Sequence, residues 1–534
     1  MIDVIVVGSG PGGVNAAAAL VEAGRTVRML DVGHTDDRYA PLIPAASFTD
    51  LRRTHEEQHR WFLGDDFEGV PFGPVRVGAQ LTPPRQHILA ADDPRLPVDS
   101  DGFAVVQSLA QGGLGAGWGA GVFPFSDDEL GAMGLGLRHL QPHYDTVVER
   151  IGVSGSLDDL TQFFPPSRGM MPAADFDSNG ESLLARYLRR RDRLNETGFF
   201  LGGPRLAVST RTHRARGPET YRDMAYWADP DRGVYRPQFT LEELRRSPAF
   251  EYVPGHLVHA FVETRGGVHV QTTDERTGER EEHEAQALVL AAGTFGTARI
   301  VLRSLGRWGF RVPILCNPYT YVPTVNLGLL GRAVADRRHG LAQLTAMLRV
   351  PEGGGRLVQA QVHSYRSLLT FKLMKEIPLG HRVSRQALQM LMPYFAILGI
   401  HHEDRPSDGK TCRLRRGGDE PDVLEVRYQP SDDEVRRQRA DERRLLGHFL
   451  RLGCLPLKVM RLGHGSNMHY AGTFPILAEG SDLTCDLDSR LRATRAVYLA
   501  DGSVFPWLPA KGLTFNIMAN ADRVGTVLAR RLAP

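Results

Sequence analysis

The 534-residue chain has only four cysteines, Cys316, Cys412, Cys454 and Cys485, spaced too widely for a metal knuckle or a disulfide framework. Reduced thiols and no metal site are the expectation. No run of eighteen apolar residues occurs, so no membrane span is expected. Charge of one sign is also lacking: 64 Lys and Arg against 62 Asp and Glu leave a net +2. Arginine-rich pieces such as 189–193 alternate with acidic residues and leave no stripe for nucleic acid. There is no short-period repeat. Apolar sequence begins at Ile2 with no basic leader, which argues against a cleavable export signal and for a cytoplasmic location. A chain this long buries more than one core, and two large domains are expected.

Glycine is what the chain has in quantity, and it falls at informative places. Ile2 to Val7 reads as a buried parallel strand, Gly8-Ser-Gly10-Pro-Gly-Gly13 follows it, and the alanine-rich stretch from Val14 to Ala23 reads as a helix. In that order Gly8 permits the tight turn, Gly10 admits a pyrophosphate close to the backbone, and Gly13 lets helix and sheet close together. A second strand, Thr26 to Leu30, ends at Asp31, whose carboxylate can accept ribose hydroxyls and would repel a 2'-phosphate. The reading is a dinucleotide site.

Further along, Gly33 to Ser100 reads as long connections. Gln111 to Gly121 then carries six glycines in eleven positions, including Gly112 and Gly113, which suits close backbone approach to a planar or anionic group. Strands at Val258–Val262 and Val268–Thr272 flank a Gly266-Gly267 turn. A central strand from Gln286 runs into Ala292, Gly293 and a helix, a second strand-glycine-helix junction of the kind that borders ligands in open sheets. The section from Pro313 to Leu457 has a different texture, with apolar segments, a polar turn and a long helix near Asp433–Leu452. It reads as a substrate domain. Near the end, Ala496–Ala500 should be a strand delivering Asp501 and Gly502, and Leu513–Leu528 a helix with Thr514 near its start.

These residues together resemble the glucose-methanol-choline oxidoreductase family: the N-terminal fingerprint, the Gly112-Gly113 loop, Ala291-Ala292-Gly293, and the regions of His469 and Asp501. The resemblance implies an α/β fold in which a Rossmann-like FAD domain is assembled from residues 1–155, 245–312 and 464–534. Residues 156–244 and 313–463 would form an α+β substrate domain with a mainly antiparallel sheet. It implies FAD contacts at Gly8, Gly10, Gly13, Asp31, Gly112, Gly113, Val258, Ala292, Gly293, Asp501, Gly502 and Thr514. Covalent attachment in the family uses a histidine or cysteine near the glycine loop, and residues 111–121 contain neither, so non-covalent FAD is expected.

Asn467-Met-His469 resembles the family segment whose histidine faces the flavin and the substrate. An imidazole there can take the hydroxyl proton as hydride leaves the alcohol carbon. The chain departs from the family at the second catalytic position, where alignment places Gly512. Lys511 or a water is a candidate substitute, and a surface lysine is the alternative. The expected activity is oxidation of a CH–OH group in a sugar, glycoside or aminocyclitol, with oxygen or another acceptor reoxidising the flavin. The glycine at 512 also raises a flavin-dependent non-oxidative or ring-forming reaction. Asn317, Tyr319, Tyr321, Asn326, His363, Tyr365 and Asn467 are expected around the cavity and favour a hydrophilic substrate.

Overall fold

Ile2–Val7 forms β1, and its alternate residues enter two different cores: Val4 and Val6 on one face, Ile5 and Val7 on the other. Both faces are covered, which is why the strand is apolar throughout rather than alternating. The computed structural model describes residues 2–67, 83–89, 93–221, 231–332, 341–351, 354–364, 380, 382–383 and 392–533. Tyr365 lies outside the described residues.

Around β1 the sheet adds β2 (Val27–Leu30), β3 (Phe250–Val253), β4 (His256–Glu263), β5 (Val268–Asp274), β6 (Arg280–Leu290) and β7 (Val497–Leu499). The order is β3-β2-β1-β6-β5-β4, with β7 also on β6. Strands β3, β2, β1, β6 and β7 run parallel, while β4, β5 and β6 form an antiparallel meander. The meander is the hairpin expected around Gly266-Gly267. The helices of this layer are α1 (Pro11–Glu22), α2 (Leu137–Ile151), α3 (Pro237–Leu244), α4 (Gly293–Ser304) and α5 (Thr514–Arg531). Arg150 of α2 is buried and donates to Asn15 of α1 at 2.9 Å and Asp522 of α5 at 2.8 Å, which holds the three helices in one arrangement.

A second seven-stranded sheet is antiparallel throughout. Its order is Cys454–Pro456, Tyr319–Asn326, Phe395–His402, Arg356–Ser364, Ala342–Val350 and Phe199–Gly202, with Met460–Arg461 also on the Tyr319 strand. The period-2 alternation of these strands divides their side chains between two environments. Val322, Leu398 and Ile400 pack under helices Ser178–Leu188 and Asp432–Arg451, against Leu183, Leu445 and Phe449. Tyr319, Tyr321, Ile397 and His401 face the other way, into a cavity.

The two layers exchange more chain than the sequence reading allows. Leu241 and Leu244 of α3, inside the 156–244 segment, pack with α1 in the nucleotide layer. Val98–Asp101 pairs in parallel with Val423–Tyr428, so a small third sheet ties the layers together. Among the described residues no helix is long and apolar enough to cross a membrane. All four cysteines are free and buried.

Candidate active site

One continuous cavity runs from the glycine turn after β1 to the inner face of the antiparallel sheet. Three helices begin on its wall: α1 at Gly10-Pro11, α4 at Ala292-Gly293 and α5 at Leu513-Thr514. None of the three has a side-chain cap. The first-turn N–H groups and positive dipole ends of α1 and α5 are therefore available to an anionic or electron-rich ligand, whereas the Gly293 N–H of α4 is directed at the Asp501 carboxylate.

The glycines of the fingerprint divide into two kinds. A Cβ on Gly12 would lie 1.9 Å from the Ala500 carbonyl oxygen, and one on Gly13 would lie 1.8 Å from that of Gly8. These two close helix onto sheet, as expected for Gly13, and Gly13 is not on the cavity wall. Gly10 is different. A Cβ there meets nothing nearer than the Gly112 carbonyl oxygen at 3.9 Å, and the position opens on the cavity. The Gly112-Gly113 loop lies directly over this turn: a Cβ on Gly113 would be 3.5 Å from the Gly10 Cα, and Gly113 is on the wall; Gly112 is behind it, where a Cβ would meet Gln238.

Asp31 ends β2 on the cavity wall and accepts from Ser9 Oγ and from Tyr252 Oη, the latter at 3.0 Å. Ser9 Oγ in turn accepts from the Gly112 N–H at 2.8 Å, so one relay connects strand, turn and loop. Burial pushes the Asp31 carboxyl up to about 6, against the lowering effect of its hydroxyl partners. Val258, Ala292, Gly293, Asp501, Gly502 and Thr514 are also on the wall. The Asp501 carboxylate is committed to the protein: it accepts from Thr297 Oγ1 at 2.5 Å and from Ser503 Oγ at 2.6 Å and N at 2.9 Å. It fixes the turn after β7 against α4 rather than offering its side chain to a ligand.

At the far end, a two-residue pairing of Leu315 with Ala471 and Cys316 with Tyr470 sets Asn317 beside His469. Asn317 Nδ2 donates to the carbonyls of His402 at 2.7 Å and Pro509 at 2.8 Å. Two carbonyl partners define which end of the amide is nitrogen, so Oδ1 is the atom 3.2 Å from His469 Nδ1. An amide oxygen can only accept. Nδ1 of His469 therefore carries the proton, and Nε2 keeps its lone pair. Asn467 also positions this loop: its Oδ1 accepts from the His469 N–H at 3.1 Å and from Cys316 Sγ at 3.0 Å, and its Nδ2 donates to the Asn317 carbonyl at 2.5 Å. Burial holds His469 down to about 4, so the ring is neutral across the ordinary pH range. His401 stacks on it with ring centroids 5.3 Å apart and planes 17° from parallel.

Gly512 lies opposite, where a Cβ would be 4.0 Å from His469 Cε1. Lys511 does not supply the missing side chain, nor is it a surface lysine. It is 1% exposed, points away from the cavity, and donates to Glu129 Oε2 at 2.6 Å and to the carbonyls of Phe163 at 2.7 Å and Pro124 at 3.2 Å. All three ammonium protons are committed. The backbone of Gly512 lets the chain pass Phe123, 3.0 Å from its hypothetical Cβ, and carries Lys511 into the adjoining core. Burial lowers the Lys511 pKa while Glu129 opposes the shift. Replacing Lys511 with methionine is expected to cost about 3–5 kcal/mol of stability, because Glu129 is left buried without its cation. Chemical denaturation would measure this, and Lys511→Met/Glu129→Gln should recover part of the loss. A lysine that acted only on substrate would leave stability unchanged.

No protein-family model matches the chain, and no curated protein matches it by sequence. Solved structures do match in fold. Pyridoxine 4-oxidase from Mesorbium loti superposes with a TM-score of 0.58 at 13% identity, over 100% of this chain and 99% of its own. A Chaetomium thermophilum FAD-dependent oxidoreductase, bound to a pyridinyl-ethyl thienyl-butanamide fragment, superposes with a TM-score of 0.60 at 13% identity over 100% of both. This is the fold of FAD-dependent oxidoreductases.

Within that fold the expected polar residues part company. Tyr319, Tyr321, His363 and Asn467 reach the cavity, whereas Asn317 and Asn326 do not. Asn317 orients His469. Asn326 is fully buried elsewhere, accepting from Arg186 and donating to Asn179 at 3.2 Å. Sequence reasoning missed Ser9, Tyr252, Gln361 and His401. Ser9 sits inside the fingerprint and its hydroxyl was a usable signal. Gln361 and His401 come from strands whose register alone brings them to the cavity, and Tyr252 of β3 stands behind Asp31 as its hydrogen-bond donor.

Proposed function

We propose that the chain is a flavoprotein of the glucose-methanol-choline type that oxidises an alcohol carbon of a polyhydroxylated small molecule, with His469 as the base. The observation that carries this is one cavity joining a dinucleotide fingerprint to a neutral imidazole whose Nε2 is bare. The residues present fit FAD. Asp31 suits the adenosine ribose, the open position at Gly10 and the uncapped start of α1 suit the diphosphate, and Ala292-Gly293 and Gly512–Thr514 suit the ring system. Residues 111–121 offer no histidine or cysteine for a covalent link. Bound FAD would supply the hydride acceptor.

The protein supplies the rest. His469 Nε2 accepts the hydroxyl proton, and Asn317 holds the tautomer that makes this possible. His401 is the second hydroxyl partner in place of a side chain at 512. It lines the cavity beside His469, is 6% exposed, and its Nδ1 has no hydrogen-bond partner. Burial holds its pKa well below the ordinary range, so it too stays neutral. Tyr319, Tyr321, Gln361 and His363 extend the polar wall. Such a wall favours substrates with several hydroxyls, since one lacking them would strand polar groups on binding.

Anaerobic bleaching of the bound flavin tests the reading with a panel of sugars, glycosides, aminocyclitols, simple alcohols and sterols. The polyhydroxylated compounds should bleach fastest. His401→Phe, which keeps a stacking ring and removes both nitrogens, should slow the best of them about 10²-fold with FAD retained. Faster bleaching by a sterol or simple alcohol would overturn the substrate class. Bleaching by none would shift the reading to the non-oxidative chemistry that Gly512 raises.

A further inference from the structure

We propose that His256, Glu281 and His283 form a binding site for a divalent transition cation of the zinc class, on the antiparallel meander of the nucleotide layer. The site does not depend on the proposed oxidation. His256 opens β4, and Glu281 and His283 stand two apart on β6, which puts both on one face. Between them runs β5, where Thr272 pairs with Val258 on one side and Glu281 on the other. A side chain as small as threonine lets the three groups meet across it.

One donor atom from each residue lies within 4.8 Å of the other two. Glu281 Oε2 is 3.2 Å from His256 Nε2 and 3.6 Å from His283 Nε2. Donors around a tetrahedral zinc with bonds of 2.0–2.1 Å are about 3.3 Å apart. The imidazole planes are 75° apart, so the two rings approach the common point from different directions.

The tautomer of His256 gives the stronger argument. Its Nδ1 is 2.9 Å from the Pro254 carbonyl oxygen, which can only accept, so Nδ1 carries the proton. Nε2 is then the nitrogen that faces the Glu281 carboxylate oxygen at 3.2 Å, a position that either a proton or a metal cation can occupy. A backbone carbonyl behind the distal nitrogen is also how metal-bound histidines are oriented. Thr272 Oγ1, 3.3 Å from His283 Nε2, is also 3.5 Å from the Glu281 carbonyl oxygen, so its hydroxyl has another acceptor when a metal takes the nitrogen. Nearby Arg28 is already paired with Glu251 at 2.7 Å, which offsets its charge. Glu281 is 40% exposed in its side chain, leaving the fourth coordination position to water. The His256 N–H donates to the Asp31 carbonyl at 3.0 Å, so the ion would pin β4 to β6 beside the nucleotide end of the cavity. The ligands come from two strands with a third between them, which is why no sequence spacing betrays the site.

The test uses flavin-replete protein cleared of metal by chelator and dialysis. Zinc is titrated against a chromophoric chelator, and cobalt is added to read its absorption to the red of the flavin bands. We expect one ion per chain, tetrahedral cobalt bands and a raised melting temperature in zinc. Glu281→Gln and His283→Gln should each weaken zinc binding at least tenfold, the smaller effect known for losing even an outer-sphere partner. Flavin content and oxidation rate should not change, since neither residue lies on the cavity wall. Absence of saturable zinc binding in the parent, or unchanged affinity in both variants, would overturn the site.

Discussion

Replacing His469 with glutamine is expected to leave FAD bound and to slow substrate-driven bleaching by about 10²–10⁴-fold, the usual worth of a positioned base. Glutamine can still meet Asn317 but has no basic nitrogen. Burial sets the pH dependence. With His469 held down to about 4, the parent's bleaching rate should be flat through neutrality and fall only as pH drops through about 4, and the variant should lose that limb. The shift also bears on stability. The unfolded chain binds this proton near 6.5 and the folded one does not until about 4, so folding loses stability as pH falls across that interval. Stopped-flow reduction across pH checks the first point and denaturant titration the second. A glutamine variant reducing flavin at the parental rate would remove His469 from the mechanism.

Gly10→Val should give a folded protein without flavin. The backbone at Gly10 has φ −64° and ψ −179°, which any residue adopts, and a Cβ there finds open space. The valine methyls would project into the cavity over the uncapped first turn of α1, where the diphosphate belongs. Colourless protein with a circular dichroism spectrum and compactness matching the cofactor-stripped parent is the expected result. Gly13→Ala should behave differently: its methyl would collide with the Gly8 carbonyl at 1.8 Å, so that protein should fail to accumulate. Full FAD occupancy in Gly10→Val would contradict the placement of the diphosphate.

The contrast between two glycines three residues apart marks the limit of reading a motif. The spacing Gly8, Gly10, Gly13 is legible because turn, helix start and strand are local and their hydrogen bonds run between near neighbours. Gly12, just as tightly confined against Ala500, is silent in the sequence because its neighbour is 488 residues away. Lys511 makes the same point more sharply. It follows the last strand beside Gly512, the position the resemblance singles out, and charge usually means either surface or function. Only the packing of Glu129, Phe163 and Pro124 around it shows a third state, a buried cation with every proton committed.

By itself the sequence determined β1, α1, β2 with its terminal Asp31, the junction at Gly293 and the helix from Thr514, because each is written in apolar periodicity and punctuated by glycine. Those elements carry their own signal, since a buried parallel strand must be apolar on both faces and a helix facing a ligand must begin without a side chain in the way. The tertiary structure alone decided that α3 joins the nucleotide layer, that Asn317 orients His469 from 152 residues away, and that His401 stacks on the same ring. The first depends on helix packing and the other two on strand pairing, and a shift of one residue would turn His401 from the cavity to the helix-covered face while leaving the local sequence pattern the same.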